Sequence, residues 1–196
     1  MNRVVLFDLG GVIVDLTGLE QFLDRHGLER ATFWPAWLEL GAGNKFESGR
    51  STPAEFADSF LRQFEIDLTP EEFLTEFGEW PSGLLPGAAE LVDDVRSAGA
   101  ITATLSNTNP IHWDSAFNQN VIVPMFDRHF PSFQLGMAKP ARALFERVVD
   151  MLAVSAAEVT FLDDNLVNVE AADEVGLAAF HVRGPDEARQ VLLGPS

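Results

Sequence analysis

The sequence contains no cysteine, which excludes disulfide bonds, a thiolate nucleophile and cysteine-ligated zinc. Basic residues are scarce: thirteen Lys and Arg stand against thirty Asp and Glu, a formal net charge of −17. So acidic a chain repels the phosphates of nucleic acids and the head groups of anionic lipids, and neither nucleic acid nor membrane is expected as a partner. The same field repels a phosphorylated small molecule, so a site for one must bring its own compensation, a metal ion and a buried side-chain cation. Long apolar runs are missing as well. No stretch of about 18 consecutive apolar residues occurs, and residues 1–14 lack a basic segment followed by an apolar one of signal length. A cytoplasmic protein is the expectation, with its oligomeric state open.

What is present suits one globular core. A hydrophobic content of 46% is spread along 196 residues, enough for one core with room for a modest insertion. Val4 to Phe7 is a short apolar run with two β-branched residues, closed by Asp8-Leu9-Gly10-Gly11, and reads as a buried strand ending at Asp8. Ile101 to Leu105 before Ser106-Asn107, Val159 to Leu162 before Asp163-Asp164, and Ala178 to Val182 before Gly184-Pro185 repeat the pattern. Between them, Gly87 to Ala98, Pro140 to Leu152 and Asn168 to Val175 carry apolar residues at helical spacing. Strands alternating with helices imply a Rossmann-like α/β fold, a parallel sheet with helices on both faces, whose ligands bind beyond the carboxyl ends of the strands. Asp8, Ser106, Asn107 and Asp164 should converge there.

Residues 15–85 interrupt the alternation and read as an inserted α-helical unit, with helices at Gly18 to His26, Thr32 to Leu40, Thr52 to Phe64 and Thr69 to Phe77. Thr52 and Thr69 are each followed by Pro and then by Glu near the third helical position, the pattern of an N-cap with a capping box.

Val5-Leu6-Phe7-Asp8-Leu9-Gly10-Gly11-Val12, Thr104-Leu105-Ser106-Asn107, Lys139-Pro140 and Phe161-Leu162-Asp163-Asp164-Asn165 resemble, in order, the four motifs of the haloacid dehalogenase-like superfamily. The resemblance spans nearly the whole chain. It implies a core of residues 1–14 and 86–196 and a small helical cap of residues 15–85. The sequence looks most like the branch containing sugar-phosphate phosphatases, among them α-D-glucose-1-phosphate phosphatase, and the N-terminal phosphatase domains of epoxide hydrolases. The implied activity is Mg²⁺-dependent hydrolysis of a small phosphorylated metabolite, Asp8 attacking phosphorus to form an aspartyl phosphate. Asp8, Asp164 and the Gly10 carbonyl are the expected Mg²⁺ ligands, Asp163 being a neighbour of the site or a weaker ligand. Ser106 and Asn107 would bind phosphate oxygens. Lys139 would be the buried cation, with Pro140 opening a helix whose N-terminus favours anions.

The segment Glu47-Ser48-Gly49-Arg50-Ser51-Thr52 loosely resembles a substrate loop, with Arg50 as a contact to a distal substrate group or as an exposed loop residue. Trp34, Trp37 and Trp80 line the cleft or pack the cap. The chain departs from the family pattern at Gly10, where most phosphatases of this kind carry an Asp that transfers the leaving-group proton. Asp15, His112 and Asp163 are the candidate substitutes. Two other readings use the same motifs: a haloacid dehalogenase-type hydrolase, which needs no metal, and a phosphate-binding regulator that has lost its acid.

Overall fold

A computed structural model describes residues 3–194, apart from the side chains of residues 38–40 and 42. Five parallel strands, β1 (Val4–Phe7), β2 (Ile101–Ser106), β3 (Arg128–Pro131), β4 (Val159–Asp163) and β5 (Ala178–His181), form one sheet in the order β3-β2-β1-β4-β5. β1 is apolar at every position because it lies at the centre with both faces covered. Successive side chains point to opposite faces. Val5 and Phe7 join one core with Leu91, Val92, Val95 and Ala188; Val4 and Leu6 join another with Leu144, Phe145, Val148 and Ala172. Pairing of β1 with β2 and β4 brings Phe7 level with Thr104 and Leu162, so Asp8, Ser106 and Asp163 emerge at the same edge.

The first five helices after β1 are α1 (Thr17–Arg25), α2 (Arg30–Leu40), α3 (Ala42–Glu47), α4 (Pro53–Phe64) and α5 (Pro70–Gly78). The capping boxes are formed: Thr52 and Thr69 accept from the backbones of Glu55 and Glu72, whose carboxylates accept from the threonine backbones in return. The helices enclose a core of their own dominated by phenylalanine, with Phe22, Phe33, Phe46, Phe56, Phe60, Phe73 and Phe77 buried together with Trp37 and Trp80. Phe60 stacks on Phe73 with centroids 4.4 Å apart, and Phe46 on Phe56 at 4.6 Å.

The sheet's helices follow: α6 (Ala88–Ser97), α7 (Pro110–Trp113), α8 (Val123–Met125) after a wide turn at Asn118–Ile122, α9 (Ser132–Leu135), α10 (Arg142–Leu152), α11 (Leu166–Val175) and α12 (Gly184–Leu193). Three expectations are revised. β3 was not anticipated, because Arg-His-Phe-Pro carries one apolar side chain suited to a core and a proline; it is tolerated at the sheet edge, where ladder bonds are needed on one side only. α3 was unforeseen as well. Pro140 does not open a helix: Lys139 and Pro140 are the central residues of a turn closed by Ala141 N–H to Ala138 O (3.0 Å), and α10 begins at Arg142.

Phe60 is fully buried among rings from three helices and Trp80, so Phe60→Ala should cost about 3–5 kcal/mol of stability, measured by denaturant unfolding. A loss below about 1 kcal/mol would mean that the aromatic core can collapse into the space.

Candidate active site

Asp8 follows β1 and is buried, its backbone N–H bonded to Leu162 O (2.8 Å) and one carboxylate oxygen accepting from Leu9 N–H (2.7 Å). Lys139 reaches the same point from the turn before α10. Its Nζ lies 2.9 Å from Asp8 Oδ1 and 2.6 Å from Asp163 Oδ2. Burial alone would lower the pKa of that ammonium, but Asp163 and Asp8 on either side outweigh it and raise the pKa. The lysine is held by its backbone too: Asn107 Nδ2 donates to Lys139 O (3.0 Å) and Lys139 N–H donates to Asn107 Oδ1 (2.7 Å).

The clamp engages Asn107 Oδ1 and one of the two Nδ2 hydrogens, so the amide expected at the phosphate also holds the lysine backbone. Ser106 hydroxyl, at the end of β2, has only a weak 3.5 Å contact to Asn107 O and keeps its donor available. Asp163 is saturated. It accepts from Lys139 Nζ, from Asn168 Nδ2 (3.0 and 3.1 Å) and from Asn165 N–H (2.8 Å). Asn168, on the first turn of α11, has no counterpart among the residues anticipated from sequence, although its spacing from Asp163 sets it above the strand end.

Asp8, Asp163 and Asp164 bring carboxylate oxygens within 4.8 Å of one another. One ammonium cannot offset three such charges. Accordingly burial, opposed by Lys139 and reinforced by Asp163 and Asp164, pushes the Asp8 carboxyl up to about 7, and burial with Asp163 raises that of Asp164. The cluster is short of positive charge. With Asp163 saturated, the oxygens left are those of Asp8 and Asp164, and the nearby Gly10 carbonyl accepts no hydrogen bond among the described residues. An all-oxygen set of two carboxylates and a carbonyl fits Mg²⁺, which keeps waters in its remaining positions. Gly11 makes room for it: at φ +70°, a Cβ there would lie 2.4 Å from Asp164 Oδ2.

Above these residues a cleft of about 1100 Å³ separates the strand ends from the helical insertion. Trp34, Trp37, Phe77 and Trp80 line its far wall, Trp37 and Trp80 being buried at the same time in the insertion's core. Arg50 is not in the cleft. Past Gly49 the chain folds back along α3, and Arg50 bonds Ser48 Oγ (2.8 Å) and Asn44 Oδ1 (2.9 Å) on the outside. Glu47, which begins the same candidate substrate segment but has no role of its own in the sequence reading, faces the cleft instead.

The three candidate substitutes for the missing acid are all engaged. His112 stacks on Phe77 at 4.2 Å; its Nε2 lies 2.7 Å from Phe77 O and its Nδ1 3.1 Å from Asn109 Nδ2, which assigns the neutral tautomer with hydrogen on Nε2. Burial pushes its pKa down to about 4, so it has no proton to give near neutrality. Asp15 Oδ1 accepts from Thr17 N–H (2.8 Å) and Thr17 hydroxyl (2.6 Å) at the start of α1. Asp163 is bound to Lys139.

Comparison with known proteins agrees with the fold. The chain is 25% identical over 205 residues to a D-ribitol-5-phosphate phosphatase of Bacteroides thetaiotaomicron, covering 98% of this chain and 97% of that one. It is 26% identical over 183 residues to a sesquiterpene phosphatase of Aspergillus oryzae, covering 92% and 89%. A haloacid dehalogenase family enzyme of Bacteroides thetaiotaomicron, crystallised with magnesium and inorganic phosphate, superposes with a TM-score of 0.73 at 23% identity over 93% of this chain and 95% of that chain. The family model of haloacid dehalogenase-like hydrolases matches residues 2–176, and the chain belongs to that family.

Proposed function

We propose that this hydrolase is a Mg²⁺-dependent phosphatase of small phosphorylated metabolites that works through an aspartyl phosphate on Asp8, with sugar 1-phosphates as its favoured substrates. The observation that carries the reading is the cluster of Asp8, Asp163 and Asp164 around one lysine, which needs a second cation before a phosphate can approach. The same excess of carboxylates speaks against a metal-free dehalogenase. Asp8, Asp164 and the Gly10 carbonyl would hold Mg²⁺, which when bound offsets charge on the phosphoryl group and aligns it.

The chain's own residues have separable tasks. Lys139 favours the ionised form of Asp8, holds it toward phosphorus and offers a proton-bearing nitrogen to the phosphoryl oxygens. Ser106 hydroxyl and the Asn107 backbone N–H bind those oxygens from the side of β2. Asp163, fixed by Asn168, holds Lys139 in place. The helical insertion, residues 15–85, acts as a cap that covers the substrate and limits water around the reacting atoms. Phosphorylated metabolites are chiefly intracellular, and a cytoplasmic location goes with this reading.

The leaving-group argument supports sugar 1-phosphates. Gly10 puts no acid on the loop of the nucleophile, and Asp15, His112 and Asp163 are occupied. A hemiacetal oxygen is a better leaving group than a primary alkoxide, so it suffers least from poor protonation. The aromatic far wall of the cleft suits a ring-sized group beyond the phosphate.

Two outcomes are expected. In a Mg²⁺-supplemented panel, kcat/KM for hexose 1-phosphates should exceed that for the 6-phosphates of the same sugars, and equal or reversed values would contradict the substrate assignment. Gly11→Ala, by driving a methyl group against Asp164, should raise the Mg²⁺ concentration for half-maximal activity by about 10–100-fold. An unchanged metal titration would remove Asp164 from the ligand set.

A further inference from the structure

In an in-line displacement at phosphorus the leaving oxygen lies opposite the nucleophile. With Asp8 at the sheet edge, that oxygen faces the helical insertion, and a proton for it has to come from there. Three carboxyl groups line the cleft from that side, Asp15, Glu20 and Glu47; Asp15 accepts from Thr17 and Glu20 pairs with Arg30, which leaves Glu47. It is the last residue of α3, lines the cleft together with Asp8 and Lys139, and its carboxylate makes no hydrogen bond or ion pair among the described residues.

Its position is fixed by the backbone. Ser132 Oγ, fully buried at the start of α9, lies 2.5 Å from Glu47 O and accepts from Thr108 N–H at 2.9 Å, tying the end of α3 to the loop after β2. Two residues on, Gly49 sits against Phe133 so closely that a Cβ would lie 2.5 Å from Phe133 O. The insertion is thus docked on the core at Glu47.

We propose that Glu47 is the proton donor to the leaving oxygen, supplying from the insertion what Gly10 does not supply from the core; this rests on the phosphatase reading above. An ionised Glu47 would repel the incoming phosphate, so the form compatible with substrate is the protonated one. Burial, opposed by Lys139 and reinforced by Asp8, pushes its pKa up to about 7, which keeps that form populated near neutrality. As Asp8 Oδ attacks phosphorus, the bond from phosphorus to the ester oxygen breaks, its electron pair goes to that oxygen, and the oxygen takes the Glu47 proton. The alcohol leaves, with Asp8 phosphorylated and Glu47 ionised. Glu47 then takes a proton from water as the water oxygen attacks phosphorus, the bond to Asp8 breaks, and inorganic phosphate, the Asp8 carboxylate and protonated Glu47 are regenerated. A donor on the opposite wall lessens the dependence on leaving-group acidity, so the preference for 1-phosphates widens when it is removed.

The test compares the natural protein with Glu47→Gln at saturating Mg²⁺ on 4-nitrophenyl phosphate, whose leaving group needs no proton, and on a hexose 6-phosphate, whose leaving group does. Thermal unfolding confirms that the variant is folded. Glu47→Gln should lower kcat/KM on the hexose 6-phosphate by about 10²–10⁴-fold and leave 4-nitrophenyl phosphate within about tenfold. Adding Gly10→Asp to Glu47→Gln should restore part of the loss on the 6-phosphate alone; a Cβ at Gly10 meets only the end of the Leu16 side chain, at 3.2 Å. Equal losses on both esters, or none, overturn the role of Glu47 and leave the phosphatase reading standing. Absence of turnover by the natural protein on any phosphate ester overturns both.

Discussion

The ammonium of Lys139, sealed between the carboxylates of Asp8 and Asp163, is the interaction around which the carboxyl edge of the sheet is arranged. A buried charge is tolerable only where its partners are fixed, and removing one partner of such a pair typically costs about 3–5 kcal/mol. The fixing is thorough: Asn107 clamps the lysine backbone from β2, and Asn168 and Asn165 hold Asp163 from the start of α11. Segments 32 residues apart in sequence are thereby held in one register. The arrangement has a charge deficit built into it, since Asp164 adds a third carboxylate with no second lysine. An otherwise acidic protein therefore concentrates its need for a divalent cation at the place where a phosphate must be received.

The helical insertion is stabilised by different physics. Its interior is a cluster of phenylalanine and tryptophan rings whose cohesion does not depend on the ions below. Its contacts with the core include His112 against Phe77 and Ser132 against Glu47. Both contacts border the cleft, so the insertion is positioned by residues adjacent to the chemistry. Glu47 is delivered to the cleft by that docking.

Much of the sheet and half of the site were legible in the chain. Four of the five strands end in polar residues after short apolar runs, and the convergence of Asp8, Ser106 and the Asp163-Asp164 pair follows from parallel pairing alone. β3 was hidden because an edge strand need not be apolar. The contacts that Asn107 and Arg50 make were hidden for a different reason. Which way an amide or guanidinium turns is decided by contacts that local pattern does not encode: the Lys139 backbone for the first, the outer side of α3 for the second. Glu47 stands in the sequence reading only as part of the candidate substrate segment, because a glutamate ending a six-residue helix resembles any exposed charge until Ser132 and Gly49 are seen to press that helix onto the core.

The claim on which the rest depends is that Asp8 becomes phosphorylated. Mixing the protein with Mg²⁺ and a hydrolysed phosphate ester, quenching in acid within the first turnover and mapping peptides by mass spectrometry tests it directly. The expected result is one phosphoryl group on the peptide carrying Asp8, with Asp8→Asn folded but reduced in turnover by roughly 10³-fold or more. A phosphoryl group on another residue, or turnover by Asp8→Asn above about a tenth of that of the natural protein, would contradict the account.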